Sequence, residues 1–167
     1  MVRGNWEVFE EDFDSINVIL QTLKRSGSAR SVMLIDKTGQ LINSIGEPPG
    51  FDVISFSSLA AADFAANAQL AEMVGERDFA TLVHQGTSES LYLSMIANRV
   101  ILVVLFDRKT SLGLVRLKAR RASDELIVVL NRLFNKLEYR NEEFRTPALG
   151  ADFHAQAESE IDSLFKD

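Results

Sequence analysis

The chain has 167 residues, 46% of them hydrophobic, a formal net charge of -6 and no cysteine. That length suits one cored domain plus a tail. The acidic balance excludes the basic footprint of a general nucleic-acid binder, and the lack of cysteine excludes disulfides, thiol catalysis and cysteine-ligated zinc.

The acidic opening "MVRGNWEVFEEDF" has no apolar stretch of the signal-peptide kind, and the longest apolar run, residues 100–106, is too short to cross a bilayer. A cytoplasmic protein without membrane insertion is expected. Phe9, Phe13, Ile16, Leu20 and Leu23 recur every three or four residues among acids, which predicts an amphipathic helix over 7–25. "RSGS" ends it, with Gly27 as a left-handed cap. "SVMLID" (31–36) predicts a strand, "DKTGQ" a tight turn in which Gly39 supplies positive φ, and "QLINSI" (40–45) the returning strand. The prolines of "GEPPG" make it a connector. A helix over 52–74 follows, capped by Asp52 or Ser55 and closed by Gly75.

Three more strands are predicted, "FATLVH" (79–84), "SLYLSMIA" (90–97) and "VILVVLFD" (100–107). "QGTSE" joins the first two, and a tight turn at Asn98 and Arg99 joins the last two, with Asn98 tolerating the left-handed conformation. Short links make antiparallel neighbours. The last strand is apolar on both faces and is therefore expected in the centre of the sheet, covered on both sides. A final helix falls within 110–137, best marked from Leu114, where Ile127, Leu130, Leu133, Phe134 and Leu137 share one face. The expected division is a domain over 1–138, a flexible linker over 139–157 and a short amphipathic segment over 158–167, where Ile161, Leu164 and Phe165 stand at i, i+3 and i+4.

Little in the chain speaks for catalysis. His84 and His154 have no metal-spaced partner, which favours structural or solvent roles. No phosphate-loop motif occurs. Glu7, Glu10, Glu11, Asp12 and Asp14 read as the solvated face of the first helix, complementing its dipole. Ser88, Ser90 and Ser94 have no histidine base in evident relation to them. No catalytic residue, metal site or cofactor is expected. Two binding features remain. Arg108, Lys109, Arg116, Lys118, Arg120 and Arg121 form either a solvated edge or a docking patch for an acidic partner or a neighbouring subunit's tail. The terminal segment either folds back on its domain or is an amphipathic helix for a groove.

The helix over 52–74 is short of charge. At 100° per residue it carries three stripes. Leu59, Ala66, Leu70 and Met73 are assigned to the sheet. Ala60, Phe64 and Ala71 are assigned to a contact between subunits, where alanines allow close approach, with cover by a loop or a terminal helix as the alternative. Ala61, Ala65, Ala68, Gln69 and Glu72 form a small, mildly polar platform. Asp63 fits none of the three.

The order α-β-β-α-β-β-β-α, the segment "VMLIDKTGQLINS", the alanine-rich second helix and "LYLSMIANRVILVVLFDRKTSLGLVRLKARRASDEL" together resemble the Roadblock/dynein light chain family. "DKTGQLI", "DRKTSLGLVRL", "ASDEL" and "EIDSLF" carry a closer likeness to the branch of it serving bacterial cell polarity and gliding motility. The resemblance implies an α/β fold of the Roadblock type, with a five-stranded antiparallel sheet in the order 2-1-5-4-3 sandwiched between one helix and two. It implies a homodimer formed by the third strands and second helices, which maps here onto Ala60, Phe64, Ala71, Phe79, Thr81 and Val83. It also implies a small Ras-like GTPase of the MglA type as partner, activated without an inserted arginine and without catalytic residues of the regulator. The matching GTPase-binding positions are Ala61, Ala65, Ala68, Gln69 and Glu72. Ile161, Leu164 and Phe165 are implied to reach the GTPase elsewhere and tune nucleotide exchange. The alternative is a scaffold or adaptor that binds the GTPase or a polarity complex without stimulating hydrolysis. A small-molecule sensor, suggested by the profilin-like layout, is opposed by tight aliphatic strands and a lack of convergent polar groups.

Overall fold

The computed structural model describes residues 7–47, 50–77 and 79–145. The chain runs α1 (Glu7–Ser26), β1 (Ser31–Asp36), β2 (Leu41–Gly46), α2 (Val53–Met73), β3 (Thr81–Gln85), β4 (Glu89–Ile96), β5 (Val100–Asp107) and α3 (Leu112–Arg145). The strands form one antiparallel sheet in the order β2-β1-β5-β4-β3, so the two-sided apolar β5 is central, as its composition predicts. Contacts divide the chain into one unit up to Arg132 and another from Leu133 on; the packing described below belongs to the first.

Strand alternation sorts the core into two layers. Met33, Ile35, Leu93, Ile101 and Val103 point to one face and pack with Ala60, Ala61 and Phe64 of α2. Their sequence neighbours Val32, Leu34, Tyr92, Leu102 and Val104 point to the other face and are also buried. There α1 packs on β1 and β2, and α1 and α3 lie side by side, with Ile19, Leu23, Lys118 and Ala122 along their shared groove. One helix therefore covers one face and two cover the other.

The buried stripe of α1 is Phe9, Asp12, Ile16, Ile19, Leu20 and Leu23, with Phe13 exposed at its margin. Asp12 thus departs from the solvated face expected for the acids of this helix. Its carboxylate is fully buried and accepts a hydrogen bond from Arg132 Nε of α3 at 2.5 Å. Removing that guanidinium takes a charge-assisted hydrogen bond from a buried carboxylate. Arg132→Ala is expected to destabilise the fold by about 2–3 kcal/mol, read from urea unfolding midpoints at constant slope.

The turns explain two local departures from the sequence pattern. The left-handed residue closing α1 is Ser28 (φ 52), not Gly27. Ala29 N–H donates to the Lys24 carbonyl at 3.0 Å and Ser28 N–H to the Arg25 carbonyl at 3.4 Å, the paired bonds of a Schellman end. Gly27 is small for another reason. A Cβ there would stand a tight 3.0 Å from the Leu23 carbonyl oxygen of α1 itself, whereas Lys118 Cβ of α3, at 3.9 Å, would be in ordinary contact. The β4–β5 turn centres on Ala97 and Asn98 (φ 51 and 54), one residue ahead of the expected pair. Arg99 N–H closes it onto the Ile96 carbonyl at 3.1 Å. Two left-handed residues match the twist of the flanking strands, and Ala97 adopts that conformation at a cost glycine avoids. Ala97→Gly is expected to stabilise the protein by about 0.5–1 kcal/mol, seen as a melting temperature about 2–4 °C higher.

α3 continues to Arg145, beyond the Tyr139 start expected for the linker. "EYRNEEFR" is polar but contains no helix breaker; the breaker is Pro147. Residues 146–167, including His154 and the terminal Ile161, Leu164 and Phe165, lie outside the described residues.

Candidate functional site

α2 carries most of the candidate interaction residues, and its ends are firmly set. Asp52 accepts from Ile54 N–H and Ser55 N–H at 3.2 Å each, and from the Ser55 hydroxyl at 2.5 Å. These bonds, the Ser55 hydroxyl foremost, hold its carboxyl below the usual carboxylate range. A lowered folded-state pKa means that the cap contributes fully above the ordinary carboxylate pKa and is lost as pH falls through the lowered one. At the other end Gly75 (φ 82) takes the left-handed position. Glu76 N–H reaches the Ala71 carbonyl at 2.9 Å and Gly75 N–H the Glu72 carbonyl at 3.1 Å.

Between these ends the stripes exchange roles. Ala60, Phe64 and Ala71, expected between subunits, are 6%, 6% and 0% exposed, and Ala60 and Phe64 pack on the sheet of the same chain. Ala61, expected in the platform, is buried with them at 9%. Leu59, Leu70 and Met73, expected on the sheet, are 70%, 53% and 83% exposed. The physical reason is depth. The sheet side supplies bulk from Met33, Ile35, Leu93, Ile101 and Val103, so alanines bring the helix backbone down close to it and one phenylalanine fills the remaining space. The large side chains then have no room underneath. Counted at 100° per residue, Leu59, Ala66, Leu70 and Met73 lie about 150° round the helix from the buried stripe. Their size was the available signal, and it pointed to the wrong partner.

Ala65, Ala68, Gln69 and Glu72 are exposed, on a flank about 90° from the buried stripe. The Ala68 end of this flank meets Phe64, Phe79, Ala80, Met95 and Asn98 around a small cavity. Asp63, unaccounted for in the sequence, has a defined job. Its Oδ2 lies 2.7 Å from His84 Nε2 on β3, and its Oδ1 accepts from Asn67 Nδ2 at 2.9 Å. The pair fastens α2 to β3, an edge strand with one side unpaired among the described residues. On β3, Thr81 is exposed and Val83 half-buried, while Phe79 just ahead of the strand is exposed.

Arg116, Arg120 and Arg121 of the basic run stand exposed on α3, and Arg108 donates to the Thr87 carbonyl at 2.8 Å. Among the described residues no group of three or more acidic or histidine side chains is placed to hold a metal ion, and no helix is long and apolar enough to cross a membrane.

A chain with this element order and strand order has a layered α/β/α architecture. The Roadblock/LC7 domain model matches residues 16–106, and the chain belongs to that family. Within it, the chain is similar to MglB of Myxococcus xanthus, with 44% identity, coverage of 71% of this chain and 97% of that one, and a TM-score of 0.69. It is also similar to the gliding protein MglB of Thermus thermophilus (30% identity, 71% and 90% coverage, TM-score 0.68). A third similar structure, an MglB described as having a tetrameric arrangement, has 29% identity, 71% and 89% coverage and a TM-score of 0.68.

Proposed function

We propose that this chain is a non-catalytic, homodimeric regulator of a small Ras-like GTPase of the MglA type, acting as its GTPase-activating protein in bacterial polarity or gliding motility. The observation that carries this reading is the 44% identity to Myxococcus xanthus MglB across nearly all of that protein. The exposure of α2 supports it. Leu59, Ala66, Leu70 and Met73 form an apolar stripe on the outer side of the helix, beside the open edge of β3. A monomer rarely leaves such a continuous patch in water. A second copy, packing its own α2 there and adding its β3 through the edge at Thr81 and Val83, would cover both features.

The remaining flank, Ala65, Ala68, Gln69 and Glu72, is the platform for the GTPase, with Ala61 supporting it from the core. Small side chains admit a partner backbone at close range. Hydrolysis of GTP depends on positioning and charge stabilisation, and a surface that favours the hydrolysis-competent switch conformation shifts the GTPase toward it. Ile161, Leu164 and Phe165 form a second contact that adjusts nucleotide exchange. The regulator works in the cytoplasm and gathers at a cell pole.

Single-turnover phosphate release from an MglA-type GTPase loaded with GTP tests the reading. Adding the full chain is expected to accelerate release by at least about 10-fold, or about 1.4 kcal/mol of barrier. Binding without acceleration would replace an activator by an adaptor, and no binding would remove the GTPase from the account.

A further inference from the structure

The outer side of α3 carries an exposed face that involves neither α2 nor β3. Leu117 and Val128 are 59% and 66% exposed. Counted at 100° per residue they stand about 20° apart, roughly opposite the buried stripe of Val115, Ala119, Ala122, Leu126 and Leu130. Between them along the helix lie Arg120, Arg121, Asp124 and Glu125, all exposed. Arg120 and Asp124 fall on one side of the line from Leu117 to Val128, and Arg121 and Glu125 on the other.

Two exposed apolar residues alone need no partner; the charges between them select one. Arg120 with Asp124 and Arg121 with Glu125 have the spacing of ion pairs within a helix, although the base stands N-terminal to the acid, the weaker order. Neither pair closes. Among the described residues these four side chains make no salt bridge. Their placement is self-complementary. Leu117 and Val128 are equally far, in opposite directions, from a point between Ala122 and Ser123. Arg121 and Asp124 are also equally far from it, as are Arg120 and Glu125.

We propose that this face is a contact between two copies of the chain, an antiparallel α3–α3 pair with its two-fold axis between Ala122 and Ser123. Leu117 packs on Val128 of the second copy, and Val128 on its Leu117. On one flank Arg121 meets Glu125 of the second copy; on the other Asp124 meets its Arg120. Each of the six residues then finds a complement, as a two-fold contact requires. Ion pairs at the surface add little, so the contact is weak, with a Kd on the order of 0.1–1 mM. It shares no residue with the contacts proposed for α2 and β3 and stands whether or not they do.

The chain has no cysteine, so disulfide trapping can read the register. Full chains carrying Leu117→Cys or Val128→Cys are mixed near that Kd, oxidised, and their cross-linked products separated by mass. A disulfide spans a Cα separation of up to about 7 Å. Unlike positions are opposed in the contact, whereas like positions are about 16 Å apart along the helices. The mixed product is expected at least about 10-fold above either like-with-like product. Charge exchange supplies the second arm. Arg120→Glu with Arg121→Glu makes the face acidic throughout, and Asp124→Arg with Glu125→Arg makes it basic throughout. Either pair of changes, placed in both chains, should lower trapping at least about 10-fold by like-charge repulsion. An acidic chain mixed with a basic one should recover it. Far-ultraviolet circular dichroism equal to the parent's shows that the helix persists in each variant. Equal yields of all three products, no mixed product, or trapping indifferent to the charge exchange would each overturn the proposal.

Discussion

If the proposed homodimer is built on the outer stripe of α2, Leu70→Asp is expected to turn it into monomers without unfolding the chain. Leu70 is half exposed on the outer side of α2 and touches no part of the core cluster, so a single chain loses little by the change. In a two-fold dimer built on this stripe the substitution acts twice. Each copy loses the burial of a leucine, worth about 1.5–3 kcal/mol, and two carboxylates are brought together in a desolvated contact. The dimer Kd should rise at least about 100-fold, or about 2.7 kcal/mol, as measured by sedimentation velocity over a dilution series. The next residue provides the contrast. Ala71 is wholly buried, so Ala71→Asp should instead destroy the fold, seen in the loss of far-ultraviolet circular dichroism. A dimer that survives Leu70→Asp with its affinity unchanged would place the subunit contact elsewhere.

Ala65→Arg is expected to abolish stimulation of the GTPase while the protein remains a folded dimer. Ala65 is exposed on the flank between Ala61 and Gln69, about 110° from the outer apolar stripe by helical rotation. A long cation there costs nothing within the chain, because the side chain extends into water. Against a partner backbone held at alanine distance it produces a clash and an unsatisfied charge, penalties of several kcal/mol together. Stimulated phosphate release should fall at least about 10-fold, to the unstimulated rate. Sedimentation should be unaltered. Wild-type stimulation by the variant would remove the platform from α2.

The contrast between these substitutions shows where sequence reasoning was reliable. Strand identity and the central place of β5 followed from the residue pattern and one doubly apolar segment, whereas the full strand order came with the resemblance to the Roadblock family. Gly39 (φ 95) and Gly75 (φ 82) stand where turn chemistry requires positive φ, and Asp52 is the cap. The orientation of α2 did not follow, because periodicity identifies stripes but not what each stripe faces. Leu59, Leu70 and Met73 look like core residues by type. Only the bulk of the opposing sheet side chains decides that Ala60, Ala61 and Ala71 go inside. The same limit hid Asp12, whose burial depends on an arginine more than a hundred residues away, and the Glu89–Arg30–Glu47 bridge, assembled from three separate strand ends.

The Asp63–His84 contact has a kinetic consequence. It joins α2 to β3 within one chain, so in the proposed dimer helix and strand would meet the second copy in a single relation. Association then requires no mutual rearrangement of the two elements, and little ordering entropy opposes it. Encounter should therefore proceed at an ordinary docking rate of about 10⁵–10⁷ M⁻¹s⁻¹ with one kinetic phase, the lifetime of the dimer being set by how slowly its surfaces part.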